Sequence, residues 1–205
     1  MSLYERRILP GLIDLAMRQK RLAPLREALV GEARGRVLDL GIGPGLNLPL
    51  YRRDLEEVVG IDPSPELLRR ARRHTAWTHF PVRLHQALAE DLPLDSGSID
   101  TVVMTWTLCS VGDPARALAE VRRVLRPGGA LLFIEHGRAE RDATRRWQDR
   151  LTPLWRRVAG GCHLNRAVDR LVEGAGFALE RLETGHLVAG PKVLTYHYRG
   201  RAVVA

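Results

Sequence analysis

The sequence predicts an α/β fold: a doubly wound, mainly parallel sheet of seven strands with a C-terminal antiparallel hairpin. Three observations predict it. Short apolar runs alternate with helical patterns through most of the chain, the mark of βαβ units. The first run, Arg36-Val37-Leu38-Asp39-Leu40, stops abruptly at Gly41, as a buried strand does before a tight turn. The last two runs follow each other without the long helix that a parallel crossover needs.

Taken in order, residues 3–17 place Leu3, Ile8, Leu12, Leu15 and Ala16 near helical spacing, with Pro10-Gly11 splitting them into two short helices. Residues 18–21 are a basic break, and residues 24–30 a helix ending at Gly31. Residues 1–34 are thus expected as a helical cap on a single globular unit, residues 35–205. After the first strand, residues 46–54 are expected to be helical. Glu57–Ile61 is the second strand, closed by Asp62-Pro63. Ser64 caps the next helix with Pro65 at its first position, running to Arg73.

Residues 82–87 and 98–105 are the third and fourth strands. Asp113-Pro114 opens a helix to Leu125, and Pro127-Gly128-Gly129 turns into a fifth strand, 130–135. Residues 141–158 are an amphipathic helix. Its apolar stripe either packs on the sheet or makes a lid over a ligand site that touches anionic lipid. Asn165 is the expected cap of a helix through Glu173, and residues 177–183 and 193–198 are the closing strands.

The 205 residues suit one domain. The formal charge of +8 raises the question of nucleic acid or membrane binding. Only Lys20 and Lys192 are lysines, and the arginines are scattered, so no nucleic-acid partner is expected. No apolar run approaches the ~20 residues that span a bilayer, which leaves at most a peripheral membrane contact. Cys109 and Cys162 form neither a C-x-x-C pair nor a zinc spacing, so neither a disulfide framework nor a metal site is expected. The reducing cytoplasm is the expected compartment.

The chemistry concentrates at Asp39-Leu40-Gly41-Ile42-Gly43-Pro44-Gly45. Gly41, Gly43 and Gly45 let the backbone pass close to a ligand at the carboxyl end of a strand. A dinucleotide fingerprint would need its third glycine at position 46, which is Leu46. The observed spacing, with Asp39 before it, favours an adenosyl amino acid whose ammonium Asp39 orients, and disfavours a nicotinamide oxidoreductase. Asp62, at the end of the second strand, can accept both ribose hydroxyls. Ala89 and Glu90, after the third strand, are placed beside an adenine, unless Glu90 and Asp91 are solvated loop charges, and Thr105 ends the fourth strand beside the reacting group. His136, just past the fifth strand, is either a hydrogen-bonded histidine at a strand end or the candidate base or acceptor orienter. His163 and Arg166 either face the acceptor or cap a helix. Residues 4–15 are a candidate cover for the cofactor.

On these residues the chain resembles the class I methyltransferases, a Rossmann-like family, in the branch called methyltransferase type 11. The matching stretches are residues 37–45, 61–65, 89–94, 98–103 and 120–129, within a resemblance covering residues 35–198. It implies an S-adenosyl-L-methionine cofactor, held at Asp39, Gly41, Gly43, Gly45 and Asp62, and a small-molecule methyl acceptor. Leu108-Cys109-Ser110-Val111, Glu135-His136 and Gly161-Cys162-His163-Leu164-Asn165-Arg166 look like the small thiol methyltransferases, which implies an alkyl thiol acceptor. Residues 38–51, ending Asn47-Leu48-Pro49-Leu50-Tyr51, are similar to bacterial phospholipid N-methyltransferases, so phosphatidylethanolamine is the alternative. A domain that binds the cofactor without turnover is the remaining class. No Asn/Asp-Pro-Pro-Tyr stretch follows the fourth strand, which argues against a nucleobase or amide nitrogen.

Overall fold

The computed structural model describes residues 3–205; Met1 and Ser2 of the expected cap lie outside the described residues. Seven strands form one sheet in the order β3-β2-β1-β4-β5-β7-β6. They are β1 (Arg36–Leu40), β2 (Glu57–Ile61), β3 (Val82–His85), β4 (Ile99–Thr105), β5 (Leu125–His136), β6 (Phe177–His186) and β7 (Tyr196–Val204). The first five pair in parallel. β7 is antiparallel to both β5 and β6, completing the expected hairpin. The chain winds outward from β1 to β3, then returns to lay β4 on the other side of β1. That reversal is the topological switch point, where open sheets bind ligands beyond the carboxyl ends of their strands.

Alternation along β1 assigns its faces. Leu38 and Leu40 join Val102, Met104, Leu131 and Phe133 under α4 (Pro114–Val124) and α6 (Val168–Gly174). Val37 points to the other face, with Val58, Val103, Leu132 and Ile134. That face is covered by Leu29 and Val30 of α2 (Ala23–Val30) and Leu68 of α3 (Pro65–Thr75). The caps are those expected: Ser64 Oγ accepts from the Leu67 amide, and Asp113 accepts from the amides of Ala115 and Arg116. The N-terminal segment runs as a π-helical turn (Tyr4–Ile8) into α1 (Leu9–Met17), with Pro10 in the first turn of α1.

Four expectations are corrected. Residues 46–54 form no α-helix, only a 3-10 turn, Leu48–Leu50. Tyr51 is extended (ψ 149°), which lets Leu48, Tyr51 and Leu55 all reach the core and sets Tyr51 edge-on to Phe80. Asn165 does not cap α6; its amide donates to Asp149, and Ala167 is the capping position. The last strand starts at Tyr196 rather than Val193, because Pro191 and Leu194 close a turn before it, and it continues to Val204.

The fourth correction concerns α5 (Asp142–Val158). Its buried residues are Thr144, Gln148 and Thr152, while Trp147, Leu151, Leu154 and Val158 are exposed. The polar face is turned inward because Gln148 satisfies backbone groups of the loop after β5. It accepts from the Ala139 amide at 2.9 Å and donates to the Gly137 carbonyl at 3.0 Å.

Candidate functional site

The glycine turn is fixed to β2 by two hydrogen bonds, from the amides of Gly41 and Ile42 to the Ile61 carbonyl. Its three glycines have left-handed φ angles but different surroundings. A Cβ on Gly41 would stand 2.1 Å from Oγ1 of Thr107, which itself donates to the Leu40 carbonyl. A Cβ on Gly45 would stand 2.9 Å from Cα of Ala71, so this glycine serves the approach of α3. A Cβ on Gly43 would meet nothing closer than 3.8 Å. Gly43 alone of the three both lines the cavity and leaves room for a close ligand.

Asp62 is buried at the turn's side. Its Oδ2 accepts from the Gly43 amide at 3.0 Å and its Oδ1 from the Ser64 amide at 2.8 Å. Burial pushes its carboxyl up to about 6, against the opposing pull of these two amides. The carboxylate is held in one orientation and lines the cavity.

Asp39 is placed differently from expectation. It is fully buried on the α2 side of β1 and does not line the cavity. Both its oxygens accept from Nδ2 of Asn47 at 3.1 Å, and Asn47, which does line the cavity, also donates to Thr105. Burial pushes the Asp39 carboxyl up to about 7, countered by Asn47, Tyr51 and the Arg26 charge. Asp39 therefore orients Asn47 and stands behind it rather than on the cavity wall, because the alternation of β1 aims it under α2.

Arg26 was not expected. It is buried, lines the cavity, and lies 5.1 Å from the Trp106 ring centre as a cation–π partner. The only trace in the sequence is its spacing: Leu22, Arg26 and Leu29 form one helical stripe with a charge at an apolar position. Among the described residues, Trp106 is the non-glycine residue with a left-handed φ (56°), a strained conformation of the kind that clusters at functional sites.

Ala89, Glu90 and Thr105 all line the same cavity. Glu90 also accepts from the Asp113 amide at 3.0 Å, tying the loop after β3 to the start of α4.

The opposite wall is built by the loop after β4, the end of β5 and the loop after α5. The buried Glu135 carboxylate accepts from three successive amides, Thr107, Leu108 and Cys109, at 2.8–3.0 Å. Arg166 donates to the carbonyls of Leu108 and Val111, and the His163 amide donates to the Cys109 carbonyl. His163 and Arg166 therefore hold this loop rather than cap a helix. Cys109 and Cys162 are free thiols with Sγ atoms 3.6 Å apart, and Cys162 Sγ lies 3.5 Å from Nδ1 of His136. The Cys109 thiol, then His136, hold the Cys162 thiol well below its ordinary range. Sequence spacing gave no sign of this cluster, since its members lie on three separate segments.

These walls enclose one cavity of about 600 Å³ at the switch point. α1 supplies its roof through Leu9, Leu12, Ile13 and Met17, and α5 contributes Trp155 and Val158. A glycine turn with an acid at the end of the neighbouring strand is the nucleotide-binding arrangement of doubly wound proteins.

Residues 38–133 match the family described as Methyltransferase domain, of type 11. Thiol S-methyltransferase TMT1B of Rattus norvegicus is 35% identical over 154 residues, 72% of this chain and 62% of that one. Thiol S-methyltransferase TMT1A of Homo sapiens is 34% identical over 174 residues, 82% and 70% of the two chains. A phosphatidylethanolamine N-methyltransferase of Cereibacter sphaeroides is 40% identical over 111 residues, 53% and 54%. The chain thus spans less than two thirds of the TMT1B length. Among solved structures, a SAM-dependent methyltransferase from Methanosarcina mazei superposes with TM-score 0.69 at 23% identity, covering 87% of this chain and 96% of that one. The [4+2]-cyclase SpnF superposes with TM-score 0.70 at 22% identity, covering 89% and 79%. The fold by itself thus does not fix the chemistry. The chain belongs to the class I S-adenosylmethionine-dependent methyltransferases, in the type 11 branch.

Proposed function

We propose that the protein transfers the methyl group of S-adenosylmethionine to a small thiol. The observation that carries this reading is the single cavity, with the glycine turn and Asp62 at one end and Cys109, Cys162 and His136 at the other. The names of the TMT1 relatives support the acceptor class.

The residues present fit the cofactor. The space beside the Gly43 Cα is open, and two buried polar atoms of cavity-lining residues, Arg26 Nε and Asn47 Oδ1, lack partners within the described chain. In this reading Asp62 accepts the ribose hydroxyls, Arg26 faces the carboxylate of the methionyl group, and Asn47, oriented by Asp39, faces its ammonium. Ala89 and Glu90 border the adenine, and Thr105 borders the methionyl side. Residues 1–34 act as a cap, with α1 excluding water from the reacting groups. The cofactor supplies a sulfonium-bound methyl group. The chain supplies alignment, and proximity and orientation are worth roughly 7–11 kcal/mol. His136, at the thiol end, positions the acceptor as base or orienting group.

A second reading rests on the exposed stripe Trp147, Leu151, Leu154 and Val158, beside exposed Leu12 of α1. Leu12 and Val158 also line the cavity, so the apolar surface continues to its mouth. This favours peripheral contact with lipid, and with it phosphatidylethanolamine as acceptor. No described helix is long and apolar enough to cross a membrane. The two free cysteines support the cytoplasm as compartment.

An acceptor screen following S-adenosylhomocysteine release decides between these. Alkyl thiols and hydrogen sulfide should turn over, with phosphatidylethanolamine vesicles inert. The reverse result replaces the thiol reading with the lipid one. No release with any acceptor, despite tight S-adenosylhomocysteine binding, leaves a cofactor-binding domain.

A further inference from the structure

We propose that Cys109, Cys162 and His136 form a zinc site whose fourth coordination position opens into the cavity. The metal-site part stands on the geometry alone. Tetrahedral zinc, with bonds of about 2.3 Å to sulfur and about 2.0–2.1 Å to nitrogen, has ligand edges of roughly 3.8 Å between sulfurs and roughly 3.5 Å between sulfur and nitrogen. The observed edges are 3.6 Å for Cys109 Sγ to Cys162 Sγ and 3.5 Å for Cys162 Sγ to His136 Nδ1. All three ligand atoms lie within 4.8 Å of one another. Two edges of a tetrahedral face, both meeting at Cys162, are therefore already at coordination length, and all three residues line the cavity wall.

The ligands are fixed before any ion arrives. Cys109 is clamped on both sides of its peptide. Its amide donates to Glu135 at 3.0 Å, and its carbonyl accepts from the His163 amide at 2.7 Å. The second bond ties the Cys109 loop directly to the segment carrying Cys162. The His136 ring packs against His197 with centres 4.7 Å apart. The surroundings are apolar: Trp106, Trp155, Leu164, Val193 and Leu194 pack around the two cysteines. A divalent cation with two thiolates and a neutral imidazole has no net charge, so such a shell tolerates it. Three protein ligands with one open position is the pattern of reactive rather than structural zinc.

The open position suits a soft donor, and this part rests on the thiol reading above. An acceptor R–SH entering it releases its proton to solvent and remains bound as thiolate. Its sulfur then forms a bond to the methyl carbon. The bond from that carbon to the cofactor's sulfonium breaks, and its electron pair stays on the departing S-adenosylhomocysteine sulfur. The neutral thioether product is a weak ligand and leaves. His136 then serves as a ligand and takes no proton.

The test uses the full chain stripped of metal and titrated with zinc, or with cobalt(II) as a spectroscopic substitute. About one metal per chain should bind, and the cobalt form should show thiolate-to-metal charge-transfer absorption. Cys162→Ser and His136→Gln should each weaken zinc binding at least roughly tenfold. Circular dichroism identifies any variant that fails to fold, and the wild-type cobalt spectrum needs no variant. Folded wild-type protein that binds no stoichiometric zinc, or a cobalt spectrum without thiolate bands, overturns the site. An alkyl thiol should shift the cobalt bands. Unmoved bands, or undiminished thiol turnover by the metal-free protein, overturn the acceptor role and leave the metal site standing. Stoichiometric zinc in a protein that turns over no thiol defeats the functional reading instead.

Discussion

The amide of Gly43 donates to Oδ2 of Asp62 across 3.0 Å, fastening the turn after β1 to the end of β2 through the carboxylate assigned to the sugar. With Ser64 on the other oxygen, the group is aimed before any ligand binds. Asp62→Asn keeps the shape but turns an amide NH₂ toward one of two backbone donors. A hydrogen bond to a charged group is worth about 1.5–3 kcal/mol, so S-adenosylhomocysteine affinity should fall on the order of 10- to 100-fold. Calorimetry giving an unchanged Kd in a folded variant would remove Asp62 from the site.

The three glycines of the turn should separate into two kinds. Gly41→Ala places a Cβ against Thr107, and Gly45→Ala against the Ala71 backbone. Both add a left-handed alanine, itself costing about 1–2 kcal/mol, so both should lower the urea midpoint markedly. Gly43→Ala makes only an ordinary contact with the Gly41 carbonyl at 3.8 Å, so its stability loss should be confined to about 1–2 kcal/mol while its cofactor affinity collapses. Equal stability losses in all three would contradict this division.

Asp39→Asn carries a pH signature. Burial raises the folded pKa of Asp39 to about 7, well above its unfolded value. The folded state then binds the extra proton between those values, and Asp39 loses stability as pH rises through about 7. The asparagine does not titrate. The stability of Asp39→Asn relative to wild type should therefore improve between about pH 5 and about pH 8. Denaturant titrations at both pH values measure this, and a gap that stays constant or moves the other way refutes it.

Glu135→Gln removes one acceptor from a carboxylate serving three amides. The Cys109 amide, which alone uses Oε2, would face an NH₂ group. Leaving a buried donor unsatisfied costs about 1–3 kcal/mol, and the unfolding free energy should drop by that amount. A variant as stable as wild type would show that the loop does not depend on Glu135.

Deleting residues 1–20 removes the cavity's apolar roof. At about 25 cal/mol per Å², loss of even ~100 Å² of cover corresponds to cofactor binding weaker by more than about tenfold. Unchanged affinity of the truncated, folded protein would dismiss the cap.

The sheet was legible because its signals are local. β1 and β2 are apolar runs with sharp ends, and Ser64-Pro65 and Asp113-Pro114 announce α3 and α4 within four residues of chain. Signals that depend on which way a face turns were not legible. Amphipathic spacing located α5 but not its orientation, because Gln148 answers to backbone groups near β5 that no helical period encodes. Asp39 was legible as an acid at a strand end, yet its partner Arg26 comes from a helix preceding the sheet. The helix expected at 46–54 failed to a competing demand, the burial of Tyr51 beside Phe80. The Cys109, Cys162 and His136 cluster has no spacing to read, since two loops and the end of β5 deliver it.

The strand order has a consequence for biosynthesis. β6 is made before β7, yet it joins the sheet only through β7, which wedges between it and β5. A ribosome that has just released residue 186 therefore presents a finished strand with no ladder to enter, and β5 with one side bare. Until residues 196–204 emerge, both edges stand open to other chains. The interval is brief at about 5–20 residues per second, and it is the moment when chaperone binding would most affect yield.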